Sequence, residues 1–250
     1  MKLEIWNWVA YLGDCLEISI PKCRLLLTDI PYEEVNRDSN WLRKLDKEKA
    51  DDKTFELQDF LNHIYDSADI FIVFCWNEQY SEIYKFFSTK QKQKKGTVRQ
   101  LIWAKSNPSP MNWEYIYLSW TENAVWFKKS WTGKLNSKCK KNWFIHSTWS
   151  SKIHPTEKNH WLLTELILDN TNEWDLVIDT CAWSFSTAIC CENTKRKWIC
   201  IEKDENYFNI INFHSLIVNA PRDWFNGLNH QTISFGIKFQ SLFLTKSWYK

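Results

Sequence analysis

Hydrophobic and polar positions along this chain alternate between two periods. Continuous apolar runs are typical of strands buried on both faces, whereas apolar residues three or four positions apart are typical of helices with one face on a core. The first pattern predicts strands at residues 25–27, 69–75, 98–105, 124–127, 176–178 and 198–201. The second predicts helices around residues 55–65, 83–87 and 162–167, with a further apolar helix through residue 189. This alternation indicates βαβ units, so we predict an α/β fold with a mostly parallel sheet.

The first candidate for chemistry lies directly after the 25–27 strand, at Asp29-Ile30-Pro31-Tyr32. A buried strand that ends here places a carboxylate, a rigid turn and an aromatic face together at a sheet edge. Asp29 can accept one proton of an exocyclic amine, a carbonyl beside Pro31 can accept the other, and Tyr32 can stack on the ring. These residues suggest a pocket for a planar, amine-bearing ring that needs no metal ion. An ordinary turn after a strand is the alternative.

Acidic residues also follow two later strands. Asp179 follows the strand at residues 176–178, and Glu202 follows the strand at residues 198–201. An acid in the position of Glu202, after a βα turn and a further strand, is typical of a site that holds the ribose hydroxyls of an adenosine-type ligand. The alternative is an exposed acid in a loop.

The length and composition fit one α/β domain over residues 1–250, and the formal net charge of +2 neither requires nor excludes nucleic acid. The 8 cysteines contain no CxxC pair, and two of them are adjacent, which argues against a zinc site and a disulfide framework. We therefore expect a reduced, cytoplasmic protein without a metal. Met1–Glu4 lacks the pattern of a signal peptide, and no run approaches the ~20 apolar residues of a membrane span.

The glycine and tryptophan contents are both abnormal. The chain has 5 glycines and 17 tryptophans, whereas glycine makes up about 7% of an average protein. Some tryptophans lie where a turn ordinarily uses glycine, namely Trp41, Trp113, Trp131 and Trp174. Because tryptophan does not adopt positive φ without strain, we predict that these loops are strained or rebuilt. Glycine and tryptophan codons can differ by one base, so a decayed, recoded or altered gene is one hypothesis.

A lysine-rich segment surrounds Trp131 without a clear period. Its lysines are Lys128, Lys129, Lys134, Lys138, Lys140 and Lys141. Such a segment can follow a phosphate backbone and stack an aromatic ring on a base. A solvated surface loop is the more frequent meaning of this composition.

These motifs together resemble those of the amino-group DNA methyltransferases that use S-adenosylmethionine, in the beta arrangement, where the catalytic motif precedes the cofactor motif. Asp29-Ile30-Pro31-Tyr32 is similar to the catalytic Asp-Pro-Pro-Tyr, and His154-Pro155-Thr156-Glu157-Lys158 to a His-Pro-Thr-x-Lys that helps to hold the cofactor's methionine end. Val177–Thr187 resembles the family's strand and Asp-Pro-Phe-Ala-Gly-Ser-Gly-Thr loop. Ile201–Phe208 resembles its ribose-binding motif, and Gly13-Asp14-Cys15 a motif around the cofactor's adenine.

The resemblance implies a Rossmann-like methyltransferase fold with helices on both faces of the sheet and a circularly permuted motif order. It implies transfer of a methyl group to the exocyclic amine of a base flipped out of double-stranded DNA, with adenine N6 favoured over cytosine N4 by Asp29. The implied catalytic residues are Asp29, Ile30, Pro31 and Tyr32. The implied cofactor-binding residues are Asp14, Cys15, His154, Thr156, Lys158, Asp179, Cys181, Ala182, Trp183, Ser184, Glu202 and Asp204.

The same resemblance makes residues 128–150 the expected target-recognition segment, with Trp131 and the six lysines around it as the DNA-binding residues. A homodimer and a cognate restriction nuclease are further partners that it leaves open. The protein would then be a site-specific enzyme of phage or restriction-modification type.

Some positions depart from the family's pattern. Ile30 replaces a proline but keeps the backbone carbonyl, so activity can survive this change. Trp183 and Phe185 replace glycines, and Thr180 and Cys181 replace proline and phenylalanine. Because an indole at position 183 would fill the space of the methionine chain, we predict weakened or lost cofactor binding.

Three alternative functions remain open at this point. A fold-retaining protein could bind DNA without methylating it, since Trp183 would block its cofactor pocket. A methyltransferase could instead act on RNA, protein or a small molecule, although the Asp-x-Pro-Tyr pattern suits a planar base amine. A nucleotide-linked dehydrogenase is disfavoured because no Gly-x-Gly-x-x-Gly motif opens a helix.

Overall fold

The computed structural model describes residues 1–5, 8–32, 55–107, 115, 117, 120–148 and 158–209. Its strands are β1 (Lys2–Ile5), β2 (Trp8–Leu12), β3 (Cys23–Asp29), β4 (Ala68–Cys75), β5 (Gly96–Lys105), β6 (Thr121–Lys129), β7 (Trp143–His146), β8 (Leu176–Asp179) and β9 (Lys197–Glu202). Its helices are α1 (Leu57–Tyr65), α2 (Asn77–Lys92), α3 (His160–Asn170), α4 (Ser186–Asn193) and α5 (Glu205–Asn209). None of the helices in these described ranges is long and apolar enough to span a membrane.

The strands of the described residues form one sheet in the order β1-β2-β9-β8-β3-β4-β6-β5-β7. From β2 to β4 all neighbours are parallel, and β7 is parallel to β5. Strand β6 is antiparallel to both β4 and β5, and β1 is antiparallel to β2. The predicted α/β fold with a mostly parallel sheet and permuted motif order is therefore confirmed.

Helices cover both faces of this sheet. The side chains of α1 and α2 join one apolar core with Leu26 and Phe71, which point to one face of the central strands. Helices α3 and α4 pack against each other and against β3, β7 and β9. Leu25 and Leu27, which alternate with Leu26 and so point to the second face, are also buried. Burial on both faces explains why β3 is a continuous apolar run rather than an alternating one.

Most predicted elements are present, and β7 is one of the strands that the apolar pattern did not indicate. It has only four residues, and Trp143 and Ile145 on it are 45% and 57% exposed. Because β7 is the last strand of the sheet, it has a neighbour on one side only. A short edge strand of this kind lacks the continuous apolar run that identifies a central strand.

The strain predicted for turn tryptophans is confirmed at one of the described positions. Trp174 has a φ of 69°, and Trp183, in the loop between β8 and α4, has a φ of 46°. Left-handed backbone costs an L-residue about 1–2 kcal/mol. Trp131 is exposed and does not adopt positive φ, while Trp41 and Trp113 lie outside the described residues.

Gly96 lies at the start of β5, where the sheet has no room for a side chain. A Cβ there would lie 2.3 Å from Phe127 Cζ and 2.5 Å from the carbonyl oxygen of Lys128. We expect Gly96→Ala to lower the free energy of unfolding, measured by urea denaturation, by about 1–3 kcal/mol. Gly133 is a matched control, because its φ is +78° but a Cβ there meets nothing within 4 Å. Gly133→Ala should lower the free energy of unfolding by only about 1 kcal/mol, because alanine is strained at positive φ but meets no neighbour there. Equal losses in the two variants would contradict the steric argument.

Candidate active site

The parallel strands bring the predicted acidic residues to one edge of the sheet. We call this the carboxyl edge; it is formed by the ends of β2, β9, β8, β3 and β4 at Leu12, Glu202, Asp179, Asp29 and Cys75. Strands β3 and β8 are neighbours, and their connections run in opposite directions along the sheet: β4 lies beyond β3, and β9 lies beyond β8. A reversal of this kind opens a crevice at the carboxyl ends of the two strands. Asp29 and Asp179 lie on either side of it.

The ammonium group of Lys158 contacts two acidic side chains, Asp29 and Glu122, on the β3 side of the crevice. Its Nζ lies 2.7 Å from Asp29 Oδ2, 2.9 Å from Glu122 Oε2 and 3.1 Å from the Tyr32 hydroxyl. Lys105 Nζ contacts the other oxygen of Glu122 at 2.8 Å. Lys158 is held in place because Asn159, the next residue, caps α3 by accepting a hydrogen bond from Leu162 N at 3.1 Å.

Burial and charge act in opposite directions on these groups. Burial raises the pKa of Asp29, and the nearby ammonium of Lys158 offsets only part of that effect. Burial would also raise the pKa of Glu122, but Lys158 and Lys105 together outweigh it and lower that pKa to about 2. Burial opposes the charge on Lys158, yet Asp29 and Glu122 hold its pKa well above the usual range. The cluster is therefore two carboxylates balanced by two ammonium groups.

The residues after Asp29 form the other half of this pocket. Tyr32 donates a hydrogen bond to Asp29 Oδ1 at 2.8 Å, and its ring lies 5.9 Å from that of Trp76. The Pro31 carbonyl accepts a hydrogen bond from Gln79 Nε2 at 2.8 Å. Because Gln79 uses that carbonyl, the carbonyl of buried Ile30 is the candidate acceptor beside Pro31.

The acids on β8 and β9 organise the loop that follows β8. Asp179 accepts hydrogen bonds from Cys181 N at 3.1 Å and from Thr187 Oγ1 at 2.6 Å. Glu202 accepts hydrogen bonds from Trp183 N at 2.7 Å and from Asp204 N at 2.8 Å. Burial raises the pKa of Asp179 to about 7 and that of Glu202 to about 7. At neutral pH, both carboxyl groups are therefore protonated to a larger extent than ordinary carboxyl groups.

Two further predicted motifs adjoin this loop. Gly13 N donates to the Glu202 carbonyl at 2.9 Å, which places Asp14 and buried Cys15 beside the end of β9. Asp14 pairs with Lys203 at 3.0 Å. Asp204 accepts hydrogen bonds from the first backbone groups of α5, which is the contact of a helix cap. His154 and Thr156 lie outside the described residues.

The Trp183 side chain lies in the crevice itself. Its indole Nε1 donates a hydrogen bond to the Asp29 carbonyl at 2.9 Å, and its ring lies edge-on to Tyr207 at 5.9 Å. The partly open pocket that remains has a volume of about 20 Å³ and is lined by residues including Asp29, Lys158, Asp179 and Ser184. That volume suffices for about one water molecule.

The structure places the first residues of the lysine-rich segment away from this site. Lys128 pairs with Ile70 at the start of β4, whereas Asp29 pairs with Phe74 near its end. Since β6 is antiparallel, its last residues and the following Trp131 lie at the opposite edge of the sheet. Lys129 is also buried, with its Nζ 4.8 Å from the centre of the Tyr65 ring.

The rest of the segment also lies away from Asp29 or is already paired. Lys140 contacts Glu165 at 2.7 Å and Asp169 at 3.1 Å. Asn136, between Lys134 and Lys138, donates to the Leu168 and Thr171 carbonyls at the far end of α3. DNA binding by Lys134, Lys138 and Lys141 remains a prediction.

Glu122 and Lys105 are the residues of the charge cluster that sequence reasoning did not assign. The sequence shows only that Glu122 lies at the start of a predicted strand and that Lys105 lies at the end of another. Neither is specific, since charged residues at strand ends are common. Their meeting depends on β6 being inserted antiparallel between β4 and β5, which the local pattern of residues does not specify.

Comparison with known proteins places these features in one family. A family model described as DNA methylase, for the N6/N4 methyltransferases, matches residues 23–213. Two curated relatives are the Type II methyltransferase M2.DpnII of Streptococcus pneumoniae and the Type II methyltransferase M2.LlaDCHI of Lactococcus lactis subsp. cremoris. Each is 30% identical over 112 residues, which are 44% of this chain and 39% of the relative. The chain thus spans about two fifths of the length of the curated relatives it matches.

Solved structures share the fold. The crystal structure of the M1.HpyAVI–SAM complex has a TM-score of 0.62 at 24% identity and covers 82% of this chain and 98% of its own. The PvuII DNA methyltransferase, described as cytosine-N4-specific, has a TM-score of 0.63 at 17% identity and covers 93% and 92%. These likenesses establish the architecture.

The ion pairs of Glu122 should make its contribution to stability dependent on pH. Because its folded pKa of about 2 lies below the ordinary value of 4.5, ionised Glu122 stabilises the fold above pH 4.5 and loses this effect as pH falls toward 2. Glu122→Gln should lower the free energy of unfolding at pH 7 by about 1–3 kcal/mol. It should also flatten the loss of stability between pH 5 and pH 2, measured by urea denaturation.

Glu165→Gln is the matched control, because Glu165 pairs with Lys140 at a more exposed position. Its replacement should change stability at pH 7 by less than about 1 kcal/mol. An unchanged acid profile in Glu122→Gln would contradict the ionic assignment.

Proposed function

The chain belongs to the N6/N4 DNA methylase family, and from that membership we propose that it transfers a methyl group from S-adenosylmethionine to the exocyclic amine of a DNA base, namely adenine N6. The observation that carries this proposal is the joining of Asp29, Tyr32 and Lys158 in one partly buried cluster at the crevice of the sheet. An acidic oxygen, an aromatic ring and a nearby carbonyl are the groups that a flipped base amine requires.

The residues of the cluster have distinct roles in this proposal. Asp29 Oδ1 accepts one hydrogen bond from Tyr32 and retains a second lone pair for the amine of the base. The Ile30 carbonyl accepts the other amine proton, and the Tyr32 ring supports the base. Lys158 favours the charged form of Asp29 and offsets part of the rise in its pKa that burial causes, which strengthens Asp29 as an acceptor. Catalysis is then mainly positioning and electrostatic alignment.

The family's cofactor is S-adenosylmethionine, and the described residues fit only part of it. Buried Glu202 at the end of β9 and Asp14 beside it suit the adenosine end. Lys158, Cys181, Ala182 and Ser184 border the place of the methionine end. That place is filled by the Trp183 indole and has room for about one water molecule. The residues present therefore do not accommodate the whole cofactor.

This misfit favours a second candidate function. A protein that retains the fold and binds DNA without methylating it would tolerate a closed cofactor crevice. The indole hydrogen bond from Trp183 to the Asp29 carbonyl is the observation in its favour, because it ties the cofactor loop to the catalytic strand.

Partners follow from the proposed activity. Double-stranded DNA is the substrate, and the cytoplasm is where such a substrate is reached. Because both curated relatives are named Type II methyltransferases, we place the protein in restriction and modification, with a cognate nuclease as partner. A homodimer remains a prediction from the sequence.

Label transfer distinguishes the two functions. The chain and its Trp183→Gly variant are incubated with radiolabelled S-adenosylmethionine and duplex DNA of mixed sequence, and the labelled nucleosides are separated. We expect the variant to label adenine at N6 and the chain with Trp183 to label at least 100-fold less, on the order expected for losing reactant alignment.

The control is Asp29→Ala in the Trp183→Gly background, which should lose about 100-fold or more of the rate because the amine acceptor is gone. Label on cytosine N4 would refute the choice of base. A folded Trp183→Gly protein that binds the cofactor and labels no DNA would refute the methyltransferase proposal.

A further inference from the structure

Trp174 and Trp183 share a backbone conformation that favours glycine. Their φ angles are 69° and 46°, in the left-handed region where a Cβ is disfavoured and glycine is not. Phe185 also has a positive φ of 58°, but its ring is buried against Phe208. The Trp174 side chain is 48% exposed, so it is much less buried than the ring of Phe185.

Hydrogen bonds that do not involve the indole fix the backbone at both positions. Trp174 N donates to the Lys195 carbonyl at 2.8 Å, which holds the turn before β8. Trp183 N donates to Glu202 Oε2 at 2.7 Å. The next bonds along that loop run from Ala182 N to the Ile201 carbonyl and from Phe185 N to the Ala182 carbonyl. The loops therefore require left-handed backbone whichever side chain is present.

Other tryptophans lie in sites shaped for an indole. Trp103 donates from Nε1 to the His146 carbonyl at 3.0 Å, and Trp198 donates to Glu192 Oε1 at 2.6 Å. Both are buried in strands with extended backbone. Trp126, also in a strand, donates to Asn170 Oδ1 at 2.9 Å. The backbone thus separates these three residues from Trp174 and Trp183.

The same substitution explains the closed crevice. Without the side chain of residue 183, its hydrogen bond to Glu202 remains, since the donor is the backbone N–H. The indole volume between the Asp29 carbonyl and Tyr207 is then released. Lys158 and Ser184 already line the cavity that it would enlarge.

We infer that the working protein carries glycine at positions 174 and 183, decoded in its own cell from codons that are translated as tryptophan in this sequence. On the proposed function, glycine at position 183 opens the crevice for the methionine end of S-adenosylmethionine. Positive φ also occurs at Lys94, Cys139 and Lys195, so the identity of the two residues rests on backbone geometry together with the 5 glycines and 17 tryptophans of the chain. The identity of the occupant rests on the proposed function.

Peptide mass analysis of the protein purified from its own cells tests the residue identities. Cleavage after lysine and arginine leaves both positions on one peptide, residues 159–195. The fragment masses of that peptide therefore identify both residues in one measurement. We expect glycine at 174 and 183, and tryptophan at 103, 126 and 198. Tryptophan at either of the first two positions overturns the inference.

Recombinant full-length variants test the occupant. Trp183→Gly should bind S-adenosylmethionine at least tenfold more tightly than the chain with Trp183 in isothermal calorimetry, without DNA present. Trp174→Gly should raise the thermal midpoint by roughly 2–4 °C, whereas the control Trp198→Gly should lower it because a buried indole is lost. A folded Trp183→Gly protein with unchanged affinity overturns the assignment of the crevice. Tight cofactor binding without DNA methylation would instead refute the proposed function and leave this inference standing.

Discussion

Two carboxylates and one ammonium group determine how the carboxyl edge is built. Asp29 ends a strand, Glu122 begins the antiparallel strand beyond its neighbour, and Lys158 precedes a helix on one face of the sheet. Removing these charges from water without partners would be strongly unfavourable. Their contacts of 2.7 and 2.9 Å to one Nζ therefore fix the relation between sheet and helix at the place where a base amine would be bound.

On the other side of the crevice, the acidic side chains are held by backbone N–H donors rather than by oppositely charged groups. Asp179 and Glu202 each accept hydrogen bonds from the loop between β8 and α4, and burial brings their pKa values to about 7. This difference suits two different ligands. On the proposed function, Asp29 paired with an ammonium group would accept an amine, whereas the buried carboxyl groups of Asp179 and Glu202 would accept the hydroxyl groups of a neutral sugar.

The sequence allowed the central sheet to be predicted because β3, β4, β8 and β9 are continuous apolar runs whose ends carry Asp29, Asp179 and Glu202. Parallel pairing then required those acids to meet. What could not be predicted was the direction of β6, since an apolar run has no polarity. That one antiparallel strand brings Glu122 to Lys158 and takes Lys128 and Lys129 to the opposite edge, so it accounts for the positions of both the unassigned acid and these two lysines.

The same topology identifies which part of the chain can reach a base held at Asp29. The segments between β5 and β6 and between β7 and α3 also begin at this edge of the sheet. Asn107 joins their starting points, since its Oδ1 accepts hydrogen bonds from Thr148 N at 2.6 Å and from its hydroxyl at 3.0 Å. Tyr115, Tyr117 and Trp120 in the first segment are 84%, 103% and 51% exposed. Exposed aromatic rings bind unstacked bases through their faces. On the proposed function, these three rings are therefore further candidates for contacts to the DNA, beside the lysines predicted from the sequence.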